Sequence, residues 1–473
     1  MAQTVASQSP AVEKMATDWQ LCADLLGGTR AMRAAGKRHL PQWPAEEDKS
    51  YKARLATAVL FPAFARTVLT LTGKPFSKPL QLSDNAAPQI VEWMQDADRE
   101  GRNLHAFAAD CMQTALGFGL GGILVEYPVV RRAAGERPLT QAEEQAQQLR
   151  PYLVQIKPGQ ILGWRTQRRN GAAVLTQFRF LETVQEDDGE WGTADVEQVR
   201  VLTPGAWEVW RKPADKTWEE AVLHDSGTTT LGVIPFVPFY GERTGFMAAR
   251  PPLLEVAHLN VAHWQSASDQ QTILHVARVP VFFAKMLGDD VSITLGASSG
   301  INAKTPDADA KWVEHSGAAI GAGKEDLEAL EERMRQAGAE LLVIKPGQVT
   351  ATQTNTENAV GMCALQRITL DLQDALNAAL DLVAKYARLP AGGTVTIFND
   401  FGVSSLAEAS ADLLLRAADA GYVSAATFRG EMRRRGVLGA DVDEEEELQR
   451  LEGQGPSLGT LNNPAGGGGG AGQ

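Results

Sequence analysis

The chain has 473 residues, 44% hydrophobic and 22% charged, and a net charge of −13. That balance excludes a protein whose work is to grip nucleic acid with a basic face, and no run of about 20 apolar residues argues for a membrane span. Cys22, Cys111 and Cys363 are too scattered for a disulfide framework and suit a reducing compartment.

At about 150 residues per domain, the length suggests about three units. The opening MAQTVASQSPAVEK shows no basic-then-apolar signal pattern. Residues 1–79 are expected to be mostly helical. Thr17-Asp18 is a candidate cap for a helix from Trp19 to Leu26 that Gly27-Gly28 ends. DKSYKARLATAVLFPAFARTVLTLTG predicts a second helix with Leu55, Val59, Phe64, Val68 and Leu71 apolar, a kink at Pro62 and a stop at Gly73. PQIVEWMQDAD and NLHAFAADCMQTALGFG predict two more.

GLGGILVEYP then predicts a turn and a buried strand. Gly117, Gly119 and Gly122 fit G-x-G-x-x-G, but they follow a helix and open a strand. The dinucleotide fingerprint requires the reverse order, so the glycines are read as turn residues. Residues 129–150 predict a charged loop and a short helix, and from Pro151 to Tyr240 the apolar period changes to two. Strands separated by Gly, Asp-Asp-Gly and Pro signals follow, with EDDGEWG as a hairpin turn.

The stretch from Arg250 to Ala359 organises the rest. RPPLLEVAHLNVAHWQSASDQQTILHVARVP predicts a helix of about seven turns, opened by Pro251-Pro252 and ended before Pro280. Leu253, Ala257, Val261 and Trp264 line one side, among His258, Asn260, Gln265, Asp269 and Gln270. Two readings suit so polar a helix: a solvated surface helix, or one packed against copies of itself. Short strands are expected over 281–313, and GKEDLEALEERMRQAG predicts a returning helix with Leu327, Leu330, Met334 and Ala337 on one stripe. Its acids Glu325, Asp326 and Glu328 stand at the expected N-terminus and Arg333 and Arg335 late, as the helix dipole favours.

LLVI looks strand-like and KPGQVTATQTNTENA is a polar loop, uncharged between Lys345 and Glu357. A helix from Glu357 to Arg388 carries Leu365, Ile368, Leu372, Leu376 and Leu380 on its apolar side. GGTVTIFNDFGV predicts a strand, further helices are expected to about residue 450, and GPSLGTLNNPAGGGGGAGQ predicts a flexible tail.

No catalytic constellation or metal set emerges. His258, His263 and His275 point well over 90° apart around one helix, so they cannot share an ion. GAGK at 321–324 lacks both the first Gly and the Ser/Thr of a phosphate loop. Asp289, Asp290, Asp307 and Asp309 fall short of a calcium loop's ligand spacing.

Several stretches together resemble the portal proteins of tailed bacteriophages, in a portal-like group once of unknown function. They are YKARLATAVLFPAFARTVLTLTGKPF, ALGFGLGGILVEYP, RPYLVQIKPGQILGWR, GVIPFVPFYGER, PPLLEVAHLNVAHWQSASDQQTILHVARVPVFF and FNDFGVSSLAEA with LLLRAADAGYVSAATFRGEMRRRGVL. The order of elements carries the likeness, over about residues 17–450.

The resemblance implies an α+β portal fold. Its wing is residues 1–249, with a β-rich part at 151–240; stem helices at 250–277 and 324–340 flank a small αβ clip at 278–323. A tunnel-loop region at 341–356, a long helix and returning wing strand at 357–403, crown-side helices at 404–450 and a disordered tail at 451–473 follow. It implies a ring of about a dozen copies closed by heterologous contacts. The stem faces Leu253, Ala257, Val261, Trp264, Leu327, Leu330 and Met334 would then pack between subunits. The implied channel carries double-stranded DNA without reading its sequence, with Lys345, Gln348, Thr350, Thr352, Gln353, Thr354 and Asn355 facing it. An amide- and hydroxyl-lined loop on an acidic protein touches phosphates weakly, where Lys and Arg would stall the strand.

The implied partners are the terminase large subunit, head–tail connector or adaptor proteins, and capsid and scaffold proteins. The implied place is the portal vertex of a virion assembled in the host bacterial cytoplasm. The resemblance implies no cofactor, no metal, no catalytic residue and no membrane, ATP being hydrolysed by the terminase. Two other readings stay open: another virion head–tail ring or adaptor, usually a much shorter chain, and an enzyme on a mixed α/β scaffold.

Overall fold

The computed structural model describes residues 3–128, 140, 143, 146–213, 215–278, 281–285, 307, 309–313, 318–342 and 362–399, with single positions at 401, 415, 424, 427 and 428. The chain divides into two units, Met1–Asn399 and Asp400–Gln473. The expected crown-side helices and glycine tail lie outside the described residues apart from those isolated positions.

Helix α1 spans Pro10–Leu26. It starts nine residues before the expected Trp19, because Pro10 supplies a ready first-turn residue. The stripe of Val12, Met15, Trp19, Cys22 and Leu25 continues back to it, all buried. After α2 (Gly28–Ala35) come α3 (Asp48–Thr57) and α4 (Ala63–Gly73). The single kinked helix expected here is therefore two helices. Pro62 lacks an N–H and pushes Phe61 out of helical geometry, so the chain breaks rather than bends. Val59, expected on the apolar side, is exposed.

Strand β1 (Gln81–Leu82), α5 (Pro88–Trp93) and α6 (Leu104–Phe118) follow. Asn103 caps α6 by accepting from the Ala106 N–H at 2.9 Å, and Gly119 closes it in the left-handed conformation at φ 83°. Of the glycines read as turn residues, Gly119 makes the turn, Gly117 lies in the last turn of the helix and Gly122 lies in the next strand.

That strand is β2 (Leu120–Glu126); β3 (Tyr152–Ile156) and, later, β9 flank it antiparallel. Strands β4 (Ile161–Arg169), β5 (Ala172–Asp188), β6 (Gly192–Thr203), β7 (Ala206–Arg211) and β8 (Val222–Thr228) form a five-stranded antiparallel meander. Then come β9 (Phe236–Tyr240), β10 (Glu242–Gly245) and β11 (Ala248–Arg250). The hairpin expected at EDDGEWG joins β5 to β6, with Asp188 opposite Gly192.

Helix α7 spans Leu254–Ala277, β12 Val281–Lys285, β13 Asp309–Val313, α8 Ala318–Ala339, α9 Ala364–Ala387 and β14 Val395–Thr396. Strands β12 and β13 pair antiparallel, and β14 pairs antiparallel with β1. The expected strand LLVI begins instead as a short 3-10 turn at Glu340–Leu342. Helices and antiparallel sheets are segregated along the chain, which makes the architecture α+β.

A large apolar cluster joins α1 to the two sheets. Phe178 stacks between Phe180 and Phe236 with ring centroids 5.6 and 4.0 Å away. Val12, Met15 and Trp19 of α1 pack on the same cluster with Leu120, Leu124 and Ile156. Leu365, Ile368, Leu372, Leu376 and Leu380 of α9 are all buried, and the helix packs against β2, β9 and α6.

Candidate functional site: the paired helices and their hairpin

Helices α7 and α8 run antiparallel. Gln270 Nε2 donates to the Ile320 carbonyl at 2.9 Å, and seven residues earlier His263 Nε2 lies 3.5 Å from Glu331 Oε1. Contacts that move back along α7 thus move forward along α8. Small residues let the helices close up. A Cβ at Gly323 would strike the Gln270 amide, and one at Gly338 would meet Thr67 of α4 at 2.9 Å.

Several polar residues of α7 are spent inside the chain. Asn260 is buried and bonds both sides of the α3–α4 break: Oδ1 accepts from the Phe64 N–H and Nδ2 donates to the Phe61 carbonyl, each at 2.9 Å. His263 is buried with its ring 5.2 Å from that of Phe61. Gln265 Nε2 donates to the His39 carbonyl at 2.9 Å. The face that carries Asn260 and His263 is therefore packed within the chain, while His258 on the same helix stays exposed.

An ion cluster pins the same face. Arg54 donates to both carboxylate oxygens of Glu46 at 2.8 and 2.7 Å and to the Pro41 carbonyl at 2.8 Å, and lies 3.8 Å from Asp269 of α7. Its guanidinium stacks over Trp43 at 4.2 Å. The Arg54 hydrogen bonds hold the Glu46 carboxyl below its ordinary range. Burial raises that of Asp269, against the opposing pull of Arg54.

The residues expected to pack between subunits are distributed differently. Leu253, Ala257, Trp264, Leu330 and Met334 are buried within their own chain. A side chain already covered by its own subunit has no surface left for a neighbour, so these five pack α7 and α8 internally. Val261 and Leu327 are half-buried. The open flank of α8 is charged instead, with Glu325, Glu328, Glu332, Arg333 and Arg335 exposed. Because α8 begins at Ala318, inside the expected clip, Glu325 and Glu328 lie beyond its first turn. They gain little from the helix dipole there, and Glu328 pairs with Lys324 at 3.6 Å.

The loop residues Lys345, Gln348, Thr350, Thr352, Gln353, Thr354 and Asn355 lie outside the described residues, as do Asp289 and Asp290. Among the described residues no three His, Cys, Asp or Glu side chains gather in a way that could hold a metal ion. No helix there is long and apolar enough to cross a membrane. Cys22, Cys111 and Cys363 are free and buried. Burial pushes the Cys22 thiol up to about 12 and also raises that of Cys111 well above its ordinary value, so neither is a ready nucleophile.

What the arrangement does is mechanical. It fixes two long helices in register and carries a hairpin at their far end, where Phe283 is exposed beneath the Lys311 ammonium at 6.0 Å. The internal use of α7 escaped sequence reasoning, although one signal was present. The helix after Pro62 has no Ser, Thr, Asn or Asp to cap it, so its start needed a partner from elsewhere.

Residues 252–387 match the family described as a domain of unknown function, DUF4055. The match begins just before α7 and ends with α9, so it spans the helix pair, the hairpin and the long helix. No curated protein matches the chain. Among solved structures the chain is similar to one in the neck of an empty GTA particle with C6 symmetry, at 15% identity and TM-score 0.40, covering 79% of this chain and 90% of that one. A chain in the neck of the native particle with C12 symmetry gives 14% and 0.39, covering 79% and 89%. One in the virion of the native gene transfer agent gives 15% and 0.38, covering 84% and 96%. TM-scores this low decide nothing about what this chain does.

Proposed function

We propose that the chain is the subunit of a portal-type ring at one vertex of a phage-like capsid. The ring is a passive channel through which double-stranded DNA is packaged and ejected. It holds about a dozen copies closed by heterologous contacts. The terminase large subunit docks on it during packaging, and head–tail connector proteins dock later.

One observation carries the reading. Helices α7 and α8 stand antiparallel across the β12–β13 hairpin and are followed by the long α9, in the order of the stem, clip, stem and long helix that the sequence resemblance implies. The burial of Leu253, Ala257, Trp264, Leu330 and Met334 revises how the stems would meet. Neighbours would join through the charged flank of α8, with Glu325, Glu328, Glu332, Arg333 and Arg335, rather than through an apolar seam. A net charge of −13 suits a channel that must not hold its cargo.

The test is negative-stain imaging of the purified full-length chain, with rings bearing an axial hole as the expected result. Compact dimers or monomers with no hole would sink the proposal. For the loop, a chain lacking Gly347–Asn355 should still form rings but fail to package or retain DNA.

A further inference from the structure

Charge is sorted by sign along the five-stranded sheet. Every charged side chain from Lys157 to Leu181 is basic, and every one from Glu182 to Glu197 is acidic. The strand register puts the two runs at opposite ends. Strand β5 starts at a turn where Arg169 faces Ala172 and ends at one where Asp188 faces Gly192. Its 17 residues at about 3.3 Å each set the turns about 50 Å apart.

Both ends outrun the rest of the sheet. Strand β6 reaches only to Leu202 opposite Phe178, so residues 172–177 pair with β4 alone. At the other end β4 begins at Ile161 opposite Phe180 and β7 stops at Arg211 opposite Gln198. The ribbon from Thr183 and Glu197 out to Asp188 and Gly192 is therefore two strands wide. Such a ribbon is marginally stable alone in water.

The two tips are also electrostatically open. Glu186 and Glu197 are answered by Arg211 and Lys212 at 2.7 and 2.9 Å. Asp187, Asp188, Glu190 and Asp195 are exposed and have no ion pair among the described residues, and the same holds for Arg165, Arg168 and Arg169 at the far end. Trp191, at the acidic tip, is 92% exposed. Charges on sheet edges commonly guard against aggregation. A guard does not need its signs sorted to opposite ends, nor a tryptophan held in water at one of them.

We infer that the acidic β5–β6 tip of one copy docks on the basic β4–β5 tip of a second copy of this chain, with Trp191 against the guanidinium groups of Arg168 and Arg169. The occupant is a second copy because the complementary surface lies on the same sheet, at its other end. Arginine over tryptophan is a favourable cation–π pairing, and both residue types recur as interface anchors. A contact between two different patches leaves one of each free, so it propagates from copy to copy and closes into a ring when the rotation allows. The closure rests on the ring reading above; the contact itself rests on the charge pattern.

The test reverses charge at each end of the full chain. One variant carries Asp187→Lys, Asp188→Lys and Glu190→Lys; the other carries Arg165→Glu, Arg168→Glu and Arg169→Glu. Circular dichroism checks their folding, and sedimentation velocity with negative-stain imaging reads assembly. Each variant alone should self-associate about tenfold or more weakly than wild type, equivalent to about 1.4 kcal/mol. A one-to-one mixture should regain assembly, because the first then presents two basic tips and the second two acidic ones. Trp191→Ala should weaken assembly without changing its salt dependence. Wild-type rings indifferent to both reversals overturn this inference and leave the ring reading standing. Open chains or dimers that either reversal dissolves support it and overturn the ring. Weakened variants that do not recover on mixing overturn the pairing of these two tips, and a wild-type chain that stays monomeric overturns both readings.

Discussion

Asn260, in the second turn of α7, serves as the cap that α4 lacks: its Oδ1 accepts from the backbone N–H of Phe64, 196 residues earlier in the chain. Its Nδ2 also holds the Phe61 carbonyl on the other side of Pro62. One buried amide thus satisfies a donor and an acceptor freed by a proline break. Asn260→Ala should cost about 2 kcal/mol or more, because a buried N–H and carbonyl are left without partners. Urea unfolding of the chain at low concentration measures it. An unchanged midpoint would show that the break is held by something else.

Trp264 separates internal from intersubunit packing. It is fully buried within its own chain, so Trp264→Ala should lower the stability of the isolated subunit by about 3–5 kcal/mol. Glu328→Lys on the open flank of α8 should leave that stability within about 0.5 kcal/mol. Thermal unfolding at dilutions where the chain is monomeric compares the two. A Trp264→Ala chain that unfolds like wild type but no longer assembles would restore the apolar seam expected from the sequence.

Gly122 is set against an aromatic ring. A Cβ there would fall inside the ring of Phe236, which stacks on Phe178 at 4.0 Å. Gly122→Ala should therefore cost about 1–3 kcal/mol through overpacking, visible as a lowered melting temperature. A melting temperature equal to wild type would mean that the Phe178–Phe236 stack moves freely, against the close packing of this core.

The acid limb of the stability curve should carry the Glu46 carboxyl. Arg54 holds that group below its ordinary range in the folded chain. A lowered folded value means that the unfolded chain takes up the proton first. The stabilisation is then fully present above the unfolded value and is lost as pH falls through the folded one. Glu46→Gln should make the chain less stable at neutral pH and flatten its decline in acid. Urea midpoints of both chains at neutral pH and in acid check the sign, and parallel declines would show that the pair does not matter.

Much of the fold was legible from local signals. Gly119 ends a helix in the left-handed conformation where a glycine stood between apolar periods, and EDDGEWG turns β5 into β6. The apolar stripe from Leu365 to Leu380 became the buried face of α9. Boundaries failed where two local signals competed. Thr17-Asp18 offered a plausible cap, but the stripe from Val12 onward and Pro10 decided the start of α1. Pro62 broke the chain because the freed backbone groups found a partner on α7.

The sequence by itself determined periodicity, breaks and charge order, because each depends on neighbours a few residues apart and on the backbone freedom of Gly and Pro. The sorting of charge between residues 157 and 197 was already written there. Only the tertiary structure decided which polar residues would be inside. Asn260, His263 and Gln270 on α7 look like a wet face until α4 and α8 are folded around them. Burying a polar group costs free energy unless a partner meets it, and those partners lie tens to hundreds of residues away, beyond the reach of any local pattern.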